Sequence, residues 1–174
     1  MTGISNLKFS IGKALVALLV VTLAITAYMA FGRTKAVPDA TFVLRSGQKL
    51  TTTDLRGKVY LVDFWATSCA TCIKEMPQMI QTYNKFKGAN FDFIAIAMKY
   101  DPPEYVTNYT DTRRLPFRIV MDADGSLAHK FFDVQMTPTT YLVDKNGRIL
   151  KRFLGEPDFA ALDGMIRDAL AQAT

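Results

Sequence analysis

The run Val59-Tyr60-Leu61-Val62-Asp63-Phe64-Trp65-Ala66 breaks off just ahead of Cys69-Ala70-Thr71-Cys72, which holds the only two cysteines among 174 residues. Apart from Asp63 the run is apolar and does not alternate, as expected of a strand buried on both faces. Beyond the cysteines, Ile73 to Lys87 carries apolar residues at 73, 76, 79, 80, 83 and 86, which is helical spacing. The two thiols therefore fall where a central strand turns into a helix. Three positions apart at such a junction, they can close a disulfide and open it again, so the pair trades electrons rather than stapling a fold.

The chain is long enough for one ordinary domain with an appendage. That appendage is Ala14 to Phe31, eighteen uncharged residues preceded by Lys8 and Lys13. At ~1.5 Å per residue a helix there spans about 27 Å, close to the hydrocarbon thickness of a bilayer. A cleaved secretory signal has a shorter apolar centre and a small-x-small site, for which Ala30-Phe31-Gly32 is a poor match. We expect an uncleaved anchor. The domains are then a basic segment over 1–13, a transmembrane signal-anchor over 14–31, a linker over 32–40 and a folded domain over 41–174.

Residues 1–35 contain four of the 21 basic residues and no acid, which leaves 17 basic against 16 acidic residues in the remainder. A nearly neutral domain gives no electrostatic case for nucleic-acid binding. Positive-inside counting leans only slightly toward an inside N-terminus, because Arg33 and Lys35 follow the span. The chemistry points the same way, since a dithiol on a membrane tether is most useful outside the reducing cytosol.

Along the domain, Thr41–Leu50 alternates and turns at Ser46-Gly47, a hairpin signal. Strands follow at 58–65, 91–98 and 117–121. Pro77 should kink the helix behind the cysteines. Asp101-Pro102-Pro103-Glu104 reads as a helix start, with Asp101 as the capping acid. A short helix spans 126–132, and Lys145-Asn146-Gly147 joins strands at 139–144 and 148–154. An amphipathic helix over 158–171 closes the chain. This β-β, β-α-β-α-β-α-β-β-α order implies an α/β fold with a mixed central sheet and helices on both faces. Asp122-Ala123-Asp124-Gly125 reads as a turn rather than a calcium loop, because the later ligand positions are missing. His129, the only histidine, reads as a surface or packing residue.

At the cysteines, the helix start supplies unpaired N–H groups and the positive end of a dipole. Cys69 should therefore have a lowered pKa and act as the attacking sulfur. Cys72, one turn in, resolves the mixed disulfide. Zinc would need two further ligands, and with one histidine and no other cysteine the chain offers no set. Asp63 is either a strand-end acid paired to a lysine such as Lys58 or a buried carboxyl with a raised pKa that accepts the proton of Cys72. We favour the second reading.

Val62-Asp63-Phe64-Trp65-Ala66-x-x-Cys69-x-x-Cys72, with Pro77 five residues on, resembles the thioredoxin active-site stretch. Leu55-Arg56-Gly57-Lys58-Val59, Lys74-Glu75-Met76-Pro77, Pro116-Phe117-Arg118-Ile119-Val120 and Met136-Thr137-Pro138-Thr139-Thr140-Tyr141-Leu142-Val143-Asp144 are similar to the TlpA/ResA-like branch of that superfamily, the membrane-anchored bacterial thiol–disulfide oxidoreductases. The resemblance runs from about residue 38 to the C-terminus. It implies a thioredoxin-like fold in which Phe91–Leu115 is the branch's central β-α insertion. It also implies that Pro138 is a cis proline facing the Cys69–Cys72 disulfide, with Thr137, Pro138 and Trp65 at the substrate. Glu75 falls at the branch's acidic position, although a solvated helix residue is an equal reading.

The branch usually has tryptophan before the first cysteine and proline before the second, where this chain has Ser68 and Thr71. Asp63 stands where close relatives in the branch often have asparagine. Ser68 opens the rim and Thr71 loosens the first helical turn, both of which favour a more oxidising disulfide. The expected function is an extracytoplasmic, inner-membrane-anchored enzyme that reduces protein disulfides, with cytochrome c maturation as one setting the branch implies. Its partners are disulfide- or thiol-containing extracytoplasmic proteins and a membrane thiol reductant as electron donor, and no organic cofactor or metal is expected. A thiol oxidase of the same fold, and a non-catalytic binding protein or metallochaperone, are the alternatives.

Overall fold

The computed structural model describes residues 13, 16–23, 26 and 35–172. The chain divides into two units, Met1–Thr34 and Lys35–Thr174. In the first, residues 16–23 are helical, and Val16, Leu18, Leu19, Val20, Val21 and Leu23 are each 53–65% exposed. Among the described residues no helix is long and apolar enough to cross a membrane. Half of the span expected over 14–31, and residues 1–12 of the basic segment expected over 1–13, lie outside the described residues.

Among its described residues the second unit carries seven strands and four helices. Strands β1 (Thr41–Val43) and β2 (Lys49–Thr51) form the expected hairpin, closed at Gly47 in the left-handed region, with φ 83°. Strands β3 (Val59–Trp65), β4 (Phe91–Ala97), β5 (Arg118–Met121), β6 (Thr139–Val143) and β7 (Ile149–Leu154) form one sheet in the order β5-β4-β3-β6-β7. The β5-β4-β3 half is parallel, β6 runs antiparallel to β3, and β7 runs antiparallel to β6 and so in the direction of β3. The mixed sheet is therefore as expected.

Helix α1 (Ala70–Phe86) follows β3, α2 (Pro103–Arg113) follows β4, α3 (Ser126–Lys130) follows β5, and α4 (Phe159–Ala171) ends the domain. Every residue of β3 and β4 is buried, which explains their unbroken apolar runs. Alternate side chains divide the core between two faces. Tyr60, Val62 and Phe64 join Phe42, Leu55 and Phe131 on one side. Leu61 and Trp65 join Cys72, Met76 and Met79 of α1 and Leu162 and Ile166 of α4 on the other.

Pro77 lies inside α1, on the exposed side of the helix, and the element continues through it. One local expectation changes. Asp101 does not cap α2. Pro102 occupies the N-cap position and makes no side-chain cap bond, while the Asp101 carboxylate turns back toward the loop ahead of the cysteines. The segment 122–125 is a turn closed by Gly125 N–H on the Asp122 carbonyl at 3.1 Å. The Asp122 carboxylate caps α3 by accepting from the Leu127 and Ala128 N–H groups.

Candidate active site

The site is built where the parallel strands end. β3 stops at Trp65, and residues 66–69 carry the chain into α1. Their path is fixed by Asp101, 2% exposed in the β4–α2 loop, which accepts from the Thr67 N–H at 2.6 Å and from Thr67 Oγ1 at 2.5 Å. The Met98 N–H donates to the Trp65 carbonyl at 3.0 Å and ties the same two loops together. Local sequence carries no sign of this pairing, because the partners lie 34 residues apart.

Cys69 is the N-cap of α1, as expected. Its φ and ψ are −91° and 106°, and its Sγ accepts the Cys72 N–H at 3.1 Å. The two cysteines are disulfide-bonded with Cα atoms 5.3 Å apart. Their exposures differ: Cys69 is half-buried and Cys72 is 0% exposed. An incoming disulfide can reach only the first sulfur. Ser68 and Thr71, the two departures from the branch pattern, are both exposed beside Cys69.

Opposite the cysteines lies the start of β6. The β3–β6 register pairs Phe64 with Thr139 and Asp63 with Thr140. One step further along, it sets Thr137-Pro138 alongside Trp65-Ala66, next to the loop that bears Cys69. The Thr137–Pro138 peptide bond is cis, as the resemblance implies. Pro138 is buried and its carbonyl accepts the Gly155 N–H at 2.9 Å. Among the described residues nothing pairs with the main-chain N–H and C=O of Thr137, whereas its hydroxyl lies 3.3 Å from that of Tyr100. Unpaired main-chain groups at the partly exposed Thr137, just ahead of β6, suit an added extended segment.

Trp65 requires a correction. It was expected among the substrate-contacting residues, but it is 0% exposed and packs against the Tyr109 ring with centroids 5.5 Å apart. Alternation along β3 places it on the α1 face of the sheet, so it shapes the floor of the site and offers no contact surface.

Asp63 shares that face with Leu61 and Trp65 and so points toward α1, behind the disulfide. It is 1% exposed; Oδ1 accepts from Thr140 Oγ1 at 2.9 Å, and Oδ2 has no partner among the described residues. Burial pushes its carboxyl up to about 7, against the opposing pull of the Thr140 bond. The lysine-paired alternative fails, because Lys58 contacts Asp92 at 3.3 Å instead. Glu75 is not a solvated helix residue. It is 1% exposed, both its carboxylate oxygens lack partners among the described residues, and it is pushed up to about 8, first by burial and then by the charges of Asp63 and Glu156. Two carboxyls whose affinity for a proton burial raises into the neutral range thus sit on the α1 side of the sheet, behind the disulfide. Glu156 in turn holds Lys74 at 2.7 Å, which closes the wall between α1 and the end of β7. Among the described residues no cluster of His, Cys, Asp and Glu is arranged to hold a metal.

A half-buried cysteine at a helix N-cap, a sealed one a turn later and buried carboxyls behind them define a thiol–disulfide oxidoreductase of the thioredoxin-like class. Comparison with known proteins agrees. The redoxin family model matches residues 33–166, and the chain belongs to that family. It is 31% identical over 134 residues, 76% of either chain, to the thiol-disulfide oxidoreductase ResA of Bacillus cereus. Among solved structures it is similar to a Neisseria meningitidis protein described as a thioredoxin, with TM-score 0.75, 38% identity, and coverage of 81% of this chain and 93% of that one. It is also similar to a thiol:disulfide interchange protein of Chlorobium tepidum, with TM-score 0.72, 26% identity, and coverage of 80% and 98%.

Proposed function

We propose that this oxidoreductase is tethered to the inner membrane by the apolar run 14–31, carries its domain outside the cytoplasm, and reduces disulfides in partner proteins there. The observation that carries the reading is the asymmetry of the cysteine pair, with Cys69 reachable at the N-cap and Cys72 fully enclosed. Cys69 attacks a substrate disulfide to give a mixed disulfide and releases one substrate thiol. Cys72 then attacks Cys69, frees the second thiol and leaves the Cys69–Cys72 disulfide. Asp63 takes the proton of Cys72, and Glu75 tunes that proton's affinity through its own charge. Thr137 and Pro138 dock the substrate chain. A membrane thiol reductant returns the pair to the dithiol, and the cysteine thiols of apocytochrome c are one target.

Three observations support this reading. The described part of the N-terminal helix exposes more than half of six aliphatic side chains, which calls for an apolar surrounding. A matching relative is named a thiol-disulfide oxidoreductase. The open rim at Ser68 admits a protein segment. The reduction potential of the full chain against a glutathione buffer tests the direction of flow. A value near about −270 mV supports the reductase, and one near about −120 mV makes the protein an oxidase. Labelling of Cys69 in intact reduced cells by a membrane-impermeant thiol reagent tests the location, and protection until lysis would contradict it.

A further inference from the structure

Beside the Thr137–Pro138 segment lies a cavity of about 370 Å³ whose floor is Met98, Ala128 and Val134, all nearly buried, and whose rim includes Lys99, Tyr100 and Gln135. Tyr100 belongs to both places, because it lines the cavity and its hydroxyl lies 3.3 Å from that of Thr137. A chain segment docked along Thr137 therefore passes the cavity mouth.

The charge at that mouth is specific. Asp133, an acid of the lining, is engaged by Nδ1 of His129. Lys99 makes no ion pair among the described residues. Its stem runs across Gly125, where an added Cβ would come within 2.8 Å of Lys99 Cδ and 3.3 Å of Nζ. Gly125 has φ +78°, a conformation other residues adopt reluctantly, so the position that frees the space for Lys99 also needs glycine for its own backbone. The result is a slot with an apolar floor and, at its lip, an ammonium that no carboxylate among the described residues pairs with, while the Asp133 carboxylate on the lining is held by the His129 ring.

We propose that this cavity is a side-chain subsite of the substrate groove and that it receives an acidic residue, glutamate foremost, from within three residues of the substrate's reacting cysteine. The methylenes of the glutamate lie on Met98, Ala128 and Val134, and its carboxylate meets Lys99, with the Tyr100 hydroxyl and Gln135 amide as further donors. The inference rests on the proposed docking role of Thr137 and names a preference within it. An ion pair at an exposed lip contributes less than about 1 kcal/mol, so the expected preference is about threefold to fivefold over a neutral residue. It should shrink with salt.

The test is single-turnover oxidation of the reduced full chain by symmetrical peptide disulfides carrying Glu, Gln or Lys at each of the three positions on either side of the cysteine. Each variant is read as its own Glu-to-Lys rate ratio, so that changes in overall rate cancel. At one or more positions the natural chain should prefer Glu over Lys by about tenfold, the product of attraction for one and repulsion of the other. Lys99→Gln should bring the ratio close to one and Lys99→Glu should invert it. Gly125→Ala, which displaces the lysine stem, should reduce it. A natural chain without charge order at any position, or a Lys99→Gln variant that keeps the order, would overturn the subsite. Failure of the natural chain to react with bis-hydroxyethyl disulfide, which has no side chain to place, would remove the oxidoreductase reading itself, so the two failures are distinguishable.

Discussion

Thr140 Oγ1 donates to Asp63 Oδ1 at 2.9 Å across the β3–β6 pair, and the other oxygen of that carboxylate is left buried with no partner. One bond is enough to orient the group but too little to hold a full negative charge in a dry core, and the carboxyl is accordingly pushed up to about 7. A carboxyl poised there is protonated or free according to what happens beside it, which a proton exchange with Cys72 requires. Asp63→Asn should slow release of the mixed disulfide by about 100-fold and remove the limb of its pH profile near neutrality, without slowing its formation by Cys69. Rapid-mixing kinetics over a pH series checks this, and an unchanged profile would return Asp63 to a structural role.

The same two carboxyls set the pH dependence of stability. Asp63 and Glu75 both have folded pKa values above their ordinary ones, about 7 and about 8. Between the ordinary carboxylate range and those values the folded state binds more protons than the unfolded chain, so stability falls as pH rises. The oxidised protein should therefore be most stable at about pH 4 and below as far as this pair is concerned, lose a few kcal/mol by about pH 8, and level off above that. Asp63→Asn with Glu75→Gln should flatten the slope. Urea midpoints across that range measure it, and a wild-type curve that rises with pH would contradict the placement of the pair.

Asp101 should matter to the fold more than its loop position implies. It accepts two bonds from Thr67 while 2% exposed, so Asp101→Ala strands a main-chain N–H and frees the loop that delivers Cys69. A loss of about 2 kcal/mol in denaturant stability is expected, with Thr67→Ala losing less because its N–H keeps the carboxylate. Equal stability of Asp101→Ala and the natural chain would show that the tether does not hold this loop.

Much of this was legible beforehand. The central strand, the helix behind the cysteines and the Asn146-Gly147 hairpin follow from apolar runs and turn chemistry, and Cys69 as the N-cap follows from the strand–helix junction alone. Glu75 was not resolved, although a signal existed. Cys72, Glu75, Met76 and Met79 form one stripe at helical spacing, so burial of the cysteine and the two methionines carries the glutamate inward with them. Trp65 was equally readable, since period-two alternation from Leu61 places it on the α1 face. Thr140 opposite Asp63, and Asp101 under Thr67, were out of reach, because sheet register and loop docking join residues 77 and 34 positions apart that no local pattern connects.

The helix-terminus argument has its own test. In the reduced chain the Cys72 N–H that now reaches Cys69 Sγ and the dipole of α1 both favour a thiolate. The rate of iodoacetamide alkylation of Cys69 should reach half its maximum below the pH typical of a free thiol, about 8.5. A half-point at that ordinary pH would remove the argument.

The most direct measurement is the trapping of a mixed disulfide with a peptide or protein substrate by the two single-cysteine variants. Cys72→Ser should accumulate a covalent adduct through Cys69, visible by mass and released by added dithiol, and Cys69→Ser should form none, because the remaining sulfur is enclosed. Equal adduct formation by both variants, or adducts on Cys72 alone, would contradict the division of labour between the two sulfurs.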